Sequence, residues 1–227
     1  MPPQSTHVIT SGTSTATEGT GPRRSWCSEA AAVGGDASFG SVRVIAGTVG
    51  GRQLATVVGS DVRPTSDRVR EALFNRLESR GLVRGASVLD LFAGSGALGI
   101  EALSRGAVEV AFVDRDRRSV EVVRANLDRL GLADMATVSH GDAIAFLDTV
   151  DREWGIALVD PPYDFDRWVE LLDRLRAGTA VLESGRPAAA HPRWTKVHEK
   201  RYGRTYVTLV EPAGAPEPGW LPQQYGG

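Results

Sequence analysis

The sequence predicts an α/β protein: a mostly parallel, seven-stranded sheet with helices on both faces, preceded by a small hairpin and helix. Three observations predict it. Short apolar runs alternate with helix-period segments from residue 87 to residue 183, and such βα alternation buries both faces of one sheet under helices. The first apolar run, Ser87-Val88-Leu89-Asp90-Leu91-Phe92, passes directly into the turn Ala93-Gly94-Ser95-Gly96-Ala97-Leu98-Gly99, whose glycines let backbone approach a ligand ahead of a helix N-terminus. Acids then close four successive strands, Asp90, Asp114, Asp142 and Asp160, and meet at the carboxyl edge of the sheet, where ligands of doubly wound folds bind.

Residues 1 to 40 are rich in Ser, Thr, Gly, Ala and Pro without apolar periodicity, so they are expected to be disordered. Val42-Arg43-Val44-Ile45-Ala46-Gly47 alternates, Gly50-Gly51 supplies a turn, and residues 53 to 57 return as a second strand. A two-stranded ribbon of this kind is marginal unless it docks on something larger. In Arg63-Pro64-Thr65-Ser66-Asp67, Thr65 or Ser66 caps a helix reaching about Ser79, with Asp67 in its favourable first turn. Val69, Ala72, Leu73 and Leu77 recur at helical spacing as the buried stripe, which leaves Arg68, Arg70 and Arg76 outside it. The hairpin and helix, residues 41 to 80, are expected to cover the site of a main domain spanning 81 to 211.

Within that domain, residues 100 to 105 read as the helix after the glycine turn. Glu109-Val110-Ala111-Phe112-Val113-Asp114 is the second strand, ending in an acid about 20 residues beyond the glycines, as a carboxylate on ribose hydroxyls would. Asp116 competes for that role, and either acid can cap the helix of residues 119 to 130. Residues 136 to 138 form a third strand ending in His140-Gly141-Asp142-Ala143, residues 144 to 150 a short helix, and residues 155 to 159 a fourth strand. Residues 165 to 175 read as helix, 179 to 183 as a fifth strand, and 196 to 210 as a hairpin around Tyr202-Gly203-Arg204 that closes one sheet edge. A Pro/Gly-rich tail begins at Pro212.

Length, charge and composition bound the chemistry. With 227 residues, 41% hydrophobic and 24% charged, the chain suffices for one substantial core. The single cysteine, Cys27, excludes an internal disulfide and a Cys-rich zinc site, so a reducing cytoplasm is the expected compartment. No apolar run is long enough to span a membrane, no His/Glu cluster suggests a metal, and a monomer is expected. The net charge of -2 is unevenly spread: residues 42 to 80 hold seven Arg against four acids, residues 86 to 190 hold 11 basic against 18 acidic residues, and residues 191 to 210 hold five basic residues against Glu199. Basic flanks suit a phosphate backbone, and an acidic middle suits a cationic small molecule.

The fourth strand leaves the sheet through Asp160-Pro161-Pro162-Tyr163. Prolines lack an N–H and fix φ, which makes a stiff, extended exit. The Asp160 carboxylate and Pro161 carbonyl can accept both hydrogens of one exocyclic amine while the Tyr163 ring stacks on its base. Gly94-x-Gly96-x-x-Gly99 also fits a dinucleotide turn, but the density of carboxylates would repel a pyrophosphate. It would not repel the sulfonium and amino group of S-adenosylmethionine.

Three stretches together, Arg63-Pro64-Thr65-x-Asp67-Arg68-Val69-Arg70-Glu71-Ala72-Leu73-Phe74, Leu89-Asp90-Leu91-Phe92-Ala93-Gly94-Ser95-Gly96-Ala97-Leu98-Gly99 and Asp160-Pro161-Pro162-Tyr163, resemble the RsmD family of bacterial 16S rRNA guanine-N2 methyltransferases. The resemblance spans residues 42 to 210. It implies a Rossmann-like S-adenosylmethionine-dependent methyltransferase fold, with 16S rRNA in an assembling small ribosomal subunit as acceptor. It also implies that Asp90, Phe92, Gly94 and Gly96 line the methionine, Asp114 the ribose, Asp142 and Ala143 the adenine, and Asp160, Pro161, Pro162 and Tyr163 the target base. Arg43, Arg52, Arg63, Arg68 and Arg70 on one side, with Lys200, Arg201 and Arg204 on the other, are the candidate RNA contacts. Two other readings use the same residues: a DNA adenine-N6 methyltransferase, which would require a recognition module for which no insertion is large enough, and a non-catalytic RNA-binding protein on the same scaffold.

Overall fold

The structure, a computed structural model, describes residues 42–57 and 66–214. The expectations for residues 1 to 40, for Arg63, Pro64 and Thr65, and for the end of the tail lie outside the described residues. The sheet contains β1 (Ser87–Leu91), β2 (Glu109–Asp114), β3 (Ala136–His140), β4 (Trp154–Val159), β5 (Ala177–Ser184), β6 (Trp194–Tyr202) and β7 (Thr205–Pro212) in the order β3-β2-β1-β4-β5-β7-β6. Strands β1 to β5 are parallel; β7 runs antiparallel to β5, and β6 to β7. The expected seven strands and antiparallel edge ribbon are present, with β7 reaching Pro212, where a tail was expected to begin. The strand order reverses between β1 and β4, so their carboxyl ends flank a crevice.

The apolar runs are nearly continuous because both sheet faces are covered. Val88, Ile156, Leu158, Val181, Val207 and Leu209 pack on one face, beneath α1 (Asp67–Ser79), α2 (Ala97–Ser104) and α3 (Arg117–Leu130). Leu89, Leu91, Ala157, Val159, Ala180 and Leu182 pack on the other, beneath α4 (Ala143–Thr149) and α5 (Trp168–Arg174). Gly99 lies on α2, where a Cβ would come within 2.3 Å of the Phe112 ring; the third glycine of the turn therefore lets the helix close on β2.

The predicted N-terminal hairpin is reduced to one antiparallel bridge, Arg43 to Gln53, with Val44 N–H donating to Arg52 (2.9 Å) and Leu54 N–H to Val42 (2.7 Å). Side chains of the main domain meet its remaining polar groups. Ile45 and Ala46 N–H groups donate to the Glu101 carboxylate (2.7 and 3.1 Å), Val49 N–H to Ser104 Oγ (3.1 Å), and Asn126 both donates to and accepts from Ala55 (3.0 and 2.8 Å). Val42, Val44 and Leu54 join the same core as Ile100 and Leu103.

Ser66 is the cap of α1, its Oγ accepting from Val69 N–H. The reading of Arg70 as lying outside the buried stripe is wrong. Arg70 precedes Leu73, Phe74 and Leu77 by three, four and seven positions, all buried on this helix, and is itself 0% exposed. Its guanidinium donates to Asp67 (2.9 Å) and to the Arg43 carbonyl, and its Nε lies 3.8 Å from Glu101. Arg105, also buried, donates to Glu101 (2.6 Å), Glu78 (2.6 Å) and Asn75 (3.2 Å). Glu101, wholly buried, thus neutralises two buried cations. Removing one member of such a group costs about 3–5 kcal/mol, so Glu101→Gln is expected to lower the unfolding free energy by about that much in urea denaturation. A loss below about 1 kcal/mol would mean that the group behaves as a solvated surface pair.

Candidate active site

The turn after β1 is shaped by left-handed backbone at Phe92 (φ 64°), Gly94 (56°) and Gly96 (78°). At Phe92 a residue with a side chain holds a conformation that costs about 1–3 kcal/mol. Its ring stands edge-on to Phe165 (5.2 Å between centroids), and Phe165 edge-on to Trp168 (5.3 Å). At Gly94 a Cβ would meet nothing within 4 Å, so the backbone here faces open space.

The four strand-end acids have separate tasks. Asp90 does not open onto the crevice: it is 1% exposed, and its Oδ2 accepts from Gly99 N–H (2.9 Å), which pins the end of β1 to the start of α2. Burial holds its pKa well above the usual carboxylate range, against the Gly99 hydrogen bond and with the nearby charges of Asp160 and Asp114 adding to the rise. Asp114 accepts from Gly94 N–H and Asp116 N–H (2.8 Å each). Asp116 caps α3 and pairs with Arg118, which separates the two competitors and leaves Asp114 at the crevice. Asp142 caps α4 through one oxygen, accepting from Ile144 and Ala145 N–H groups (3.0 and 3.1 Å); its other oxygen lies 3.8 Å from Arg167. Asp160 is half-buried where β4 ends.

Two cavities adjoin at this edge. The smaller, about 220 Å³, is walled by Phe92, Asp114, Gly141, Asp142, Ala143 and Arg115, and closed by Pro162 and the residues from Asp164 to Arg167. The larger, about 940 Å³, is walled by Pro161, Pro162, Tyr163, Glu183, Arg201 and Arg204, with Ser66 and Val69 of α1 at its rim. Pro162, Asp164, Phe165 and Asp166 belong to both walls; neither wall includes Asp90, Gly94, Gly96 or Asp160. Tyr163 is 66% exposed, its hydroxyl 3.2 Å from Thr205 Oγ1. A Cβ at Gly185 would come within 3.0 Å of its ring, so Gly185 leaves space for the tyrosine.

The structure thus brings Phe92, Asp114, Asp142 and Ala143 together around one cavity, and Pro161, Pro162 and Tyr163 around the other. Of the candidate RNA contacts, Arg201 and Arg204 wall the larger cavity, and Lys200 is exposed outside that wall, its ammonium 5.2 Å from the Tyr202 ring. Arg52 and Arg68 are exposed away from both walls, Arg43 pairs with Asp67 (3.1 Å), and Arg70 is excluded by burial. Sequence reasoning missed Arg115, Gly185 and Arg186, which follow the ends of β2 and β5; the carboxyl-edge rule points to all three. It also placed Phe165 in a helix, whereas α5 begins at Trp168 and the preceding residues form the loop shared by the cavities.

Comparison with known proteins places this geometry. The family model described as Conserved hypothetical protein 95 matches residues 42–211. The chain is 38% identical over 186 residues to YlbH of Bacillus subtilis strain 168, covering 76% of this chain and 100% of that protein. It is 34% identical over 184 residues to ribosomal RNA small subunit methyltransferase D of Haemophilus influenzae, covering 76% of this chain and 94% of that one. The solved structure of Escherichia coli yhhF superposes with a TM-score of 0.68 at 34% identity, covering 76% of this chain and 98% of that one. The expected Rossmann-like methyltransferase fold is the one observed.

Because folding raises the Asp90 pKa above the unfolded value of about 3.9, its ionisation costs stability as pH climbs through that window. Asp90→Asn keeps an acceptor for Gly99 and cannot ionise. Its melting temperature relative to wild type is therefore expected to rise from about pH 4 upward and level off above the folded pKa. A difference independent of pH would count against a raised Asp90 pKa.

Proposed function

The chain belongs to the RsmD family, and on that footing we propose that it transfers a methyl group from S-adenosylmethionine to the N2 amine of a guanine in 16S rRNA, presented by an assembling small ribosomal subunit. The observation that carries this reading is the pair of cavities sharing the wall Pro162, Asp164, Phe165 and Asp166. A donor in the smaller and a base in the larger would meet where β4 ends.

The smaller cavity suits the adenosyl half of the donor. Asp114 offers its remaining lone pairs to ribose hydroxyls, Asp142 to an exocyclic amine, and the Phe92 and Phe165 rings a wall for a flat base. Asp114, Asp142, Asp164 and Asp166 outnumber Arg115 and Arg167 around it, which disfavours a pyrophosphate. When bound, S-adenosylmethionine supplies a methyl group already activated by its sulfonium.

The amine of guanine is a weak nucleophile because its lone pair is delocalised into the ring. Positioning therefore carries most of the catalysis. Asp160 and the Pro161 carbonyl accept the two amine hydrogens and turn the nitrogen lone pair toward the methyl carbon, while Tyr163, braced by Thr205 and Gly185, holds the unstacked base. As the carbon–nitrogen bond forms, the carbon–sulfur bond breaks with its electron pair going to sulfur, and Asp160 takes the proton that nitrogen sheds. Arg201, Arg204 and Arg186 line the larger cavity to grip phosphates, with Lys200 exposed outside it on β6; the ribbon and α1 extend that cover over the methyltransferase domain.

Mapping methylguanosine in 16S rRNA from cells lacking the protein, and restoring it with purified protein on free rRNA and on small-subunit particles, tests the reading; an unchanged map refutes it. Asp160→Ala is expected to slow transfer by about 100-fold or more with donor binding retained, and Asp160→Asn to keep part of the rate. Asp114→Ala should instead weaken donor binding by about 1.5–3 kcal/mol, read by calorimetry. Retained turnover in Asp160→Ala would remove that residue from the acceptor site. RNA affinity should fall steeply with salt, and Arg201→Ala and Arg204→Ala should each flatten the logarithmic slope by about 0.7–0.9, whereas unchanged slopes would make these arginines solvated surface.

A further inference from the structure

We propose that Glu183 is the residue that makes the acceptor site selective for guanine, by accepting the N1–H of the target base beside the amine held at Asp160. The proposal rests on the function proposed above. Strands β4 and β5 are parallel neighbours whose ladder ends with Val159 opposite Leu182, and Asp160 and Glu183 are the residues that follow that last pair at the carboxyl edge. Side chains alternate along each strand: Ile156 and Leu158 share a face with Val181, whereas Ala157 and Val159 share the other with Leu182. Glu183, still within β5, continues the first face, and Asp160 directly follows β4. Glu183 is half-buried in the wall of the larger cavity with Pro161 and Tyr163.

Two carboxylates side by side match one edge of one base. Guanine presents adjacent donors, N1–H and the N2 amine, followed by the O6 acceptor, for which Arg186, Arg201 and Arg204 in the same wall offer donors. Adenine presents an amine beside the lone pair of N1, which a carboxylate repels. A site built to accept a hydrogen rejects a base that lacks it far more strongly than an apolar pocket rejects a change of shape. Glu183 therefore reads the base, and Asp160 positions the reacting nitrogen.

The test uses 16S rRNA rebuilt by ligation with guanine, 2-aminopurine or 1-methylguanine at the methylated position and assembled into small-subunit particles. 2-Aminopurine keeps the N2 amine but has a lone pair at N1; 1-methylguanine keeps the amine and O6 but has no N1–H. Wild-type kcat/KM is expected to be lower for both analogues than for guanine by about 10- to 100-fold or more. In Glu183→Gln the amide can donate to the N1 lone pair, so the ratio of guanine to 2-aminopurine should fall by about tenfold or more. Asp160→Asn should lower both rates together. The missing O6 affects wild type and variant alike, so the change in ratio reports N1. An unchanged ratio in Glu183→Gln, or wild-type transfer to 1-methylguanine as fast as to guanine, overturns the proposal; the second result needs no variant to fold. No transfer to the guanine control by the wild type would instead refute the proposed function.

Discussion

One buried carboxylate, Glu101, ties the parts of this protein together. A wholly buried charge is tolerated only where opposite charge and hydrogen-bond donors surround it, and Glu101 draws its partners from three places: Ile45 and Ala46 in the N-terminal ribbon, Arg70 in α1 and Arg105 just beyond its own helix. The same Arg105 reaches back to Glu78 and Asn75 of α1. A ribbon held by a single bridge and a helix outside the sheet are thereby fixed against α2, the helix that follows the glycine turn. This fixes Ser66 and Val69 at the rim of the larger cavity.

The site itself follows from the reversal of strand order between β1 and β4. Parallel strands deliver all their carboxyl ends to one edge, and the reversal opens a crevice there that no crossover helix fills. The acids along this edge differ in what their surroundings leave them to do. Asp90 is consumed by the backbone, closing β1 on α2. Asp114 and Asp142 are used in part, each accepting two N–H groups while bordering the smaller cavity. Asp160 directly follows β4, beside two prolines. The loop after those prolines serves as a common wall, so chemistry that needs two ligands in contact has one place to occur.

Charge is uneven along the same line. Four carboxylates against two arginines border the smaller cavity, whereas arginines from the β5 end and the β6–β7 hairpin match the carboxylates around the larger in number. Such a division favours a cationic donor on one side and a polyanion on the other, although the net charge of the chain is only -2.

Periodicity and punctuation determined much of this protein by themselves. The alternation of apolar runs and helix-period segments dictated the parallel sheet and its antiparallel edge, because local backbone preference and burial on both faces agree there. The glycine turn, the spacing to Asp114 and the stiff Asp160-Pro161-Pro162-Tyr163 exit were equally legible, since each is a property of a few adjacent residues. Tertiary structure decided what depends on distant partners. It buried Arg70, whose place beside the Leu73 and Phe74 stripe is tolerable because Asp67, the Arg43 carbonyl and Glu101 surround its guanidinium. It buried Asp90 as a backbone pin, gave the N-terminal ribbon side-chain partners in place of full strands, and drew Phe165 out of a helix to pack edge-on between Phe92 and Trp168. It also set Val159 opposite Leu182, a pairing made by strand register across 23 residues of sequence. Local pattern cannot carry such information, because register and burial are properties of the packed sheet.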